Sequence, residues 1–98
     1  MTNYLHRGDL PSSLDLGKVV AVDSETMGLN PLRDRLCVVQ LSAGNGDAHI
    51  VQLDRASYVA PRLTALLADS SVLKIFHFAR FDVAAFRRWV GVDTSPLY

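Results

Sequence analysis

The chain has 98 residues, of which 49% are hydrophobic, a composition typical of one globular domain and not of a disordered segment. Its ten basic and ten acidic residues cancel, which disfavours recognition of duplex DNA through bulk positive charge. The single cysteine, Cys37, excludes a disulfide framework within the chain, and no apolar run approaches the ~18 residues that a membrane span needs. We therefore expect a cytoplasmic protein in which Cys37 is a small buried hydrophobe.

The predicted elements are a short strand in an irregular entry segment, then three strands, a helix, one more strand and a second helix. In chain order they cover residues 4–6, 18–23, 35–42, 48–53, 59–68, 73–78 and 80–90. The glycine-rich residues 43–47 predict a hairpin turn, not a phosphate-binding loop, because no helix start follows them. An antiparallel trio followed by a helix and another strand predicts an α/β fold with a mixed sheet.

Two carboxylates follow the apolar run of the second predicted strand. Side chains two residues apart on a strand point to one face, so Asp23 and Glu25 are expected to lie side by side. The nearest basic residues are Lys18 and Arg33, so a divalent cation would relieve the repulsion, and oxygen ligands favour Mg²⁺ or Mn²⁺ over Zn²⁺. The alternative is that the strand ends at Asp23 and both carboxylates are solvated in a loop.

A third carboxylate, Asp82, lies near the start of the second predicted helix. The neighbours on its helix face are all apolar: Ala79, Ala85, Phe86 and Trp89. Asp82 is then either a first-turn acid favoured by the helix dipole or a group that meets the strand pair. Together, Asp82, Asp23 and Glu25 would supply the several carboxylates that a two-ion hydrolase needs.

Three segments of the chain carry a family resemblance. VDSETMGL (22–29), VQL (39–41) and HFARFD (77–82) closely resemble the first two motifs of the DEDD 3′→5′ exonucleases, which have a ribonuclease H-like fold. RDRLCVVQLS (33–42) and KIFHFARFD (74–82) are most similar to the RNase D-like branch, in particular to the nano-RNase C enzymes that degrade very short oligonucleotides. Phe78, where many proofreading relatives have Asn, also favours that branch. The resemblance covers nearly all of the chain from Gly8 onward.

The resemblance implies roles for the matching residues. Asp23, Glu25 and Asp82 would be the catalytic acids and the ligands of a two-ion Mg²⁺ or Mn²⁺ site. The substrate would contact Thr26, Met27, Leu29, His77 and Phe81. From the residues alone, Leu29 is equally explained by strand-end packing, His77 by a hydrogen-bonded core position and Phe81 by core packing.

The third motif of the family, a Tyr or His followed four residues later by Asp, has no match. The tyrosines are Tyr4, Tyr58 and Tyr98, and none has an acid at that spacing. We therefore interpret residues 1–98 as the N-terminal half of an exonuclease domain, with motifs I and II. The chain alone is expected to be inactive, because a positioned general base is worth ~10²–10⁴-fold in rate.

The resemblance thus implies a metal-dependent 3′→5′ exonuclease when the domain is complete. It would hydrolyse short single-stranded RNA or DNA, dinucleotides included, to nucleoside 5′-monophosphates, and would form a homo-oligomer. Two alternatives stay open. One is a non-catalytic half-domain that serves as a binding or structural subunit with a second chain. The other is an RNase D-type enzyme that processes tRNA 3′ ends, although that branch usually adds C-terminal helical domains.

Overall fold

The computed structural model describes residues 2–30, 33–77 and 79–94. Its elements are β1 (Asn3–Arg7), β2 (Val19–Thr26), β3 (Leu36–Ser42), β4 (Ala48–Gln52), α1 (Pro61–Ala68), β5 (Leu73–Ile75) and α2 (Ala79–Val90). The strands form one five-stranded sheet in the order β1-β4-β3-β2-β5. Strands β2, β3 and β4 are antiparallel, whereas β1 and β5 run parallel to their neighbours. The predicted α/β mixed sheet is therefore confirmed.

The core lies on one face of this sheet. Alternate residues of the central strands are buried there and share a single cluster with both helices: Val20, Val22, Val39, Leu41, Val51, Leu63, Leu67, Ala85 and Phe86. The spacing of four between Leu63 and Leu67 places both on one side of α1. The opposite face of the sheet exposes apolar side chains, among them Leu5 and Val19. No helix in the described part of the chain is long and apolar enough to cross a membrane.

Several boundaries differ from those predicted. Strand β2 continues to Thr26, and β5 ends at Ile75 because the chain must turn into α2, which begins at Ala79. Helix α1 begins at Pro61, a residue suited to a first helical position, and Val59 before it is 78% exposed. Cys37 is half-buried, not buried, with its thiol directed at the Arg35 carbonyl. Phe78, which was used above to identify the branch, and residues 96–98 lie outside the described residues.

The entry segment also has a structural role that its sequence did not reveal. The Asp9 carboxylate accepts hydrogen bonds from the backbone N–H groups of Arg62 at 2.9 Å and Leu63 at 2.8 Å. Ala60, at the N-cap position of α1, makes no side-chain capping bond. Asp9 therefore caps the helix from 53 residues away along the chain.

Candidate active site

The end of β2 carries the two strand carboxylates on one face of the sheet. In the antiparallel ladder with β3, Asp23 pairs with Gln40 and Glu25 pairs with Val38. Both acids are exposed, whereas Val22 before them is buried. The regular strand thus runs through both acids, with an irregularity only between Glu25 and Thr26. This excludes the alternative in which the strand ends at Asp23.

The short strand β5 leaves room beside these acids for α2. It pairs with β2 only from Val19 to Ala21, so the next part of that edge of β2 is open. There, Asp82 from the first turn of α2 is only 3% exposed, and its carboxylate accepts a hydrogen bond from the Ser24 hydroxyl. Since Ser24 alternates with Asp23 along the strand, Asp82 reaches β2 from the face opposite the two exposed acids.

The three carboxylates interact electrostatically. Burial raises the pKa of Asp82 to about 6, repulsion from Asp23 and Glu25 adds to the rise, and the hydrogen bond from Ser24 opposes it. A raised carboxylate pKa means that the folded protein disfavours the charged form. Both burial and the two neighbouring acids therefore disfavour the charged form of Asp82.

The side-chain chemistry of this site fits a divalent cation, although its present geometry is not that of a closed metal centre. Carboxylate oxygens are the ligands that Mg²⁺ and Mn²⁺ prefer, and the repulsion that Asp23 and Glu25 exert on Asp82 is of the kind that a bound cation would relieve. Within residues 2–30, 33–77 and 79–94, no three His, Cys, Asp or Glu side chains stand close enough to hold one ion.

A groove of about 330 Å³ opens beside Asp23 on the exposed face of the sheet. Gln40, Ile75 and His77 help to line it. His77 is exposed, so the core position considered for it is wrong, and it shares this groove with a candidate catalytic acid. A volume of this order is within the range of small-ligand sites, ~300–1,000 Å³.

The turn after β2 projects two predicted substrate contacts into solvent. Met27 is 70% exposed and Leu29 is 93% exposed, so strand-end packing within the described residues does not explain Leu29. Thr26 is half-buried, and its hydroxyl donates a hydrogen bond to the Gly28 carbonyl, which fixes the turn. Phe81, the remaining predicted contact, is half-buried on α2.

Asp34 holds this turn from its far end. Its carboxylate accepts a hydrogen bond from the Asn30 backbone N–H at 3.0 Å, and this bond lowers the pKa of Asp34. The carboxylate also packs against Gly28, where an added Cβ would come within 2.8 Å of the Asp34 Cγ. A side chain at position 28 would therefore have to displace the Asp34 carboxylate, whereas the backbone angle at Gly28 is not one that favours glycine.

Sequence reasoning missed Ser24, Gly28 and Asp34 as members of this region. The alternation of β2 carried a signal for Ser24, because a residue between Asp23 and Glu25 must face the helix layer that holds Asp82. No comparable local signal relates Gly28 to Asp34, since their contact depends on the path of the intervening turn.

Comparisons with known proteins identify the family and the fold of the chain. The family described as 3′-5′ exonuclease matches residues 8–98. NrnC of Brucella melitensis, in a structure with bound Mg²⁺, is 47% identical with a TM-score of 0.94, covering 100% of this chain and 49% of NrnC. The structure of the same protein bound to pGG gives the same identity and TM-score, covering 100% of this chain and 48% of NrnC.

A ribonuclease D gives a more distant match. The protein from Acidiphilium cryptum (strain JF-5) is 38% identical over 79 residues, which are 81% of this chain and 20% of that protein. The chain thus spans about half the length of NrnC and a smaller part of this ribonuclease D. These matches confirm the predicted resemblance to the RNase D-like branch and to nano-RNase C.

Proposed function

Since the chain belongs to the 3′-5′ exonuclease family, we propose that the complete protein removes nucleotides from the 3′ end of short RNA or DNA. Dinucleotides are among its substrates, and nucleoside 5′-monophosphates are its products. The observation that carries this proposal is the electrostatic interaction of three carboxylates: Asp23 and Glu25, near the end of β2, repel the charge of the buried Asp82, which bonds to Ser24 between them. The structure of Brucella melitensis NrnC bound to pGG supports a very short substrate.

The three acids are proposed as the catalytic residues and as the ligands of Mg²⁺ or Mn²⁺. Bound divalent cations would supply Lewis acidity that activates water and stabilises the departing 3′ oxygen. The protein positions these ligands through regular structure, since β2 fixes Asp23 and Glu25, and the Ser24 hydroxyl holds Asp82. The Mg²⁺ bound to Brucella melitensis NrnC supports this choice of ion.

The residues proposed to contact the substrate lie around the two strand acids and differ in how far they are exposed. Leu29 and Met27 present apolar surface against which the terminal bases are proposed to pack, which would remove that surface from water. His77 is proposed to contact a phosphate or ribose in the groove that it shares with Asp23. Thr26 is proposed to shape the turn that carries these contacts, and Phe81 to support the substrate from α2.

Two finer points complete the proposal. Residues 1–98 alone are proposed to be inactive, because they contain no Tyr or His followed four residues later by Asp. An NrnC-like protein is favoured over a tRNA-processing ribonuclease D, because the match to NrnC covers 100% of this chain and the match to ribonuclease D covers 81%.

The test follows the products of a 5′-labelled tetranucleotide digested by the full-length protein with Mg²⁺. We expect stepwise shortening from the 3′ end and its loss in the Asp23→Asn/Glu25→Gln double variant. Asp47→Asn, which removes an acid from the β3–β4 turn, is the matched control and should digest normally. Shortening from the 5′ end, or digestion by the double variant at the wild-type rate, would refute the proposal.

The same double variant separates catalysis from a purely structural role. A non-catalytic half-domain would retain its binding to a second chain after Asp23→Asn/Glu25→Gln, and the wild-type full-length protein would show no nuclease activity. A chain of residues 1–98 that digests a dinucleotide with Mg²⁺ would contradict the proposed inactivity of this part.

A further inference from the structure

A second cleft, of about 440 Å³, lies at the end of the sheet where β1 and β4 finish. Its lining includes Arg7, Arg35 and Arg55, and we call it the arginine cleft. None of the residues assigned above to catalysis or substrate contact lines it. It is therefore separate from the groove beside Asp23.

The arginine cleft concentrates positive charge in a chain that has no net charge. Asp54 is the one acid among its lining residues, so the guanidinium groups outnumber it. Arg7 and Arg55 are exposed, and the ion pairs found among the described residues are those of Arg33 with Asp34 and Arg87 with Asp93. Two guanidinium groups of the cleft thus face solvent without a paired acid in the described part of the chain.

The third arginine is held in place by the fold. Arg35 Nε donates to the Tyr58 hydroxyl at 2.9 Å, and Nη2 donates to the Leu53 carbonyl at 3.1 Å. Neither acceptor is a carboxylate, so these bonds orient Arg35 without neutralising it. A fixed planar guanidinium loses little conformational freedom when it binds a phosphate.

Strand registers place Arg7 of the arginine cleft at the same end and on the same face of the sheet as Asp23 and Glu25. Glu25 pairs with Val38, Val38 with Gln52, and Gln52 with Arg7. Directly paired residues share a face, so Arg7 lies in the same transverse row as Glu25. Three strand spacings separate the two residues, which is about 14 Å.

We propose that the arginine cleft binds the phosphodiester backbone of the substrate on the 5′ side of the nucleotides being hydrolysed. This inference rests on the proposed exonuclease function. Arginine is well suited to phosphate oxygens through paired N–H bonds. At about 3.4 Å of rise per stacked nucleotide, a span of about 14 Å corresponds to roughly four nucleotides. Longer oligonucleotides therefore reach the arginine cleft and dinucleotides do not.

The test compares oligonucleotide lengths in the full-length protein, with a chelator present so that no cleavage occurs. Fluorescence anisotropy gives the Kd of a labelled hexanucleotide, and competition gives that of an unlabelled dinucleotide. Arg7→Ala and Arg55→Ala should each weaken hexanucleotide binding by about tenfold, the value of one charge-assisted hydrogen bond, and weaken dinucleotide binding much less. Each variant should also reduce the magnitude of the slope of log K against log[salt], where K is the association constant of the hexanucleotide, by about 0.7.

Two further variants control this test. Lys18→Ala removes one exposed positive charge at the opposite end of the sheet and should leave both affinities unchanged. Arg7→Lys keeps the charge on β1 and should retain most of the hexanucleotide affinity. It thus distinguishes a loss of charge in Arg7→Ala from a loss of stability of β1. Unchanged hexanucleotide binding in both alanine variants, or an equal loss for the dinucleotide, would overturn the proposal.

An activity assay keeps this inference distinct from the proposed function. If the wild-type protein with Mg²⁺ does not shorten oligonucleotides from the 3′ end, the proposed function fails. The Kd values still show whether the arginine cleft binds the longer oligonucleotide. If the wild-type protein is active and the alanine variants bind the hexanucleotide normally, only the arginine cleft proposal fails.

Discussion

Two aspartates at helix starts have opposite surroundings in this protein. Asp9 accepts backbone N–H bonds from Arg62 and Leu63 at the start of α1, where an acid is favoured by both the cap and the helix dipole. Asp82, in the first turn of α2, is buried, and its pKa is raised to about 6. The first carboxylate stabilises the fold, and the second is held in its charged form against a penalty.

The difference separates an acid that stabilises its helix from an acid whose position is unfavourable for folding. Helix α1 has no acid in its own first turn and takes one from the entry segment. Helix α2 has its own first-turn acid, but Asp23 and Glu25 repel the charge of that acid. Groups that break a local rule in this way are candidates for function, since a bound ligand can offset the remaining penalty.

Replacing Asp82 should give the largest effect. In the full-length protein, Asp82→Asn should lower kcat/KM by at least about 100-fold, because a cation ligand is lost. The metal-free variant should unfold at the same or a higher temperature at pH 7, because the amide carries no buried charge. Activity and chelator-treated thermal unfolding measure the two results.

Asp93→Asn is the control for that variant, since Asp93 is an exposed acid paired with Arg87 at 2.7 Å. It should change neither kcat/KM nor unfolding markedly, because exposed pairs contribute little. A large loss of stability in Asp82→Asn with activity intact would contradict this account, because Asp82 would then serve stability, as Asp9 does, and not function.

The turn that carries Leu29 should show the next largest effect. Gly28→Ala places a methyl group against the Asp34 carboxylate, which must move aside and lose its bond from the Asn30 N–H, a charge-assisted bond worth about 1.5 kcal/mol. Gly28→Ala/Asp34→Ala removes the clash, so the double variant should be destabilised by less than the sum of the two single variants. Additive changes in the free energy of unfolding would contradict direct packing between these residues.

Removal of the remote cap should have a smaller and purely structural effect. Asp9→Ala should lower the free energy of unfolding by about 1 kcal/mol and leave kcat/KM of the folded protein unchanged. Asp15→Ala, which removes a carboxylate that accepts a bond from the Gly17 N–H within its own turn, is the matched control. Equal destabilisation by both variants would argue against capping.

The smallest expected effect concerns pH at the edge of the sheet. Burial, together with repulsion from His49, lowers the pKa of His6, and the two rings are in contact at 3.0 Å. The folded pKa is below the unfolded value, so this stability is present above pH ~6.5 and is lost as the pH falls towards the folded pKa. His6→Gln should remove a small part, under about 1 kcal/mol, of the stability lost between pH 7 and pH 5 in denaturant unfolding. An identical pH dependence in wild type and variant would contradict this assignment.

Much of the fold and the acidic site was predictable because both follow from local periodicity. Alternation along β2 predicted the shared face of Asp23 and Glu25, and the apolar neighbours of Asp82 predicted its inward position. The cap by Asp9 and the row from Glu25 to Arg7 were not predictable in this way. Both arise from contacts between distant parts of the chain, which leave no periodic pattern in either partner.

The most direct test of the central claim is the thermal unfolding of the metal-free, full-length protein at pH 7 with and without Mg²⁺. If Asp23, Glu25 and Asp82 hold the cation, Mg²⁺ at about 100 times its Kd should stabilise the wild type by about 2.7 kcal/mol. The rise in Tm should be several degrees for the wild type and much smaller for Asp82→Asn. An equal rise in both proteins, or none in the wild type, would contradict the proposed cation site.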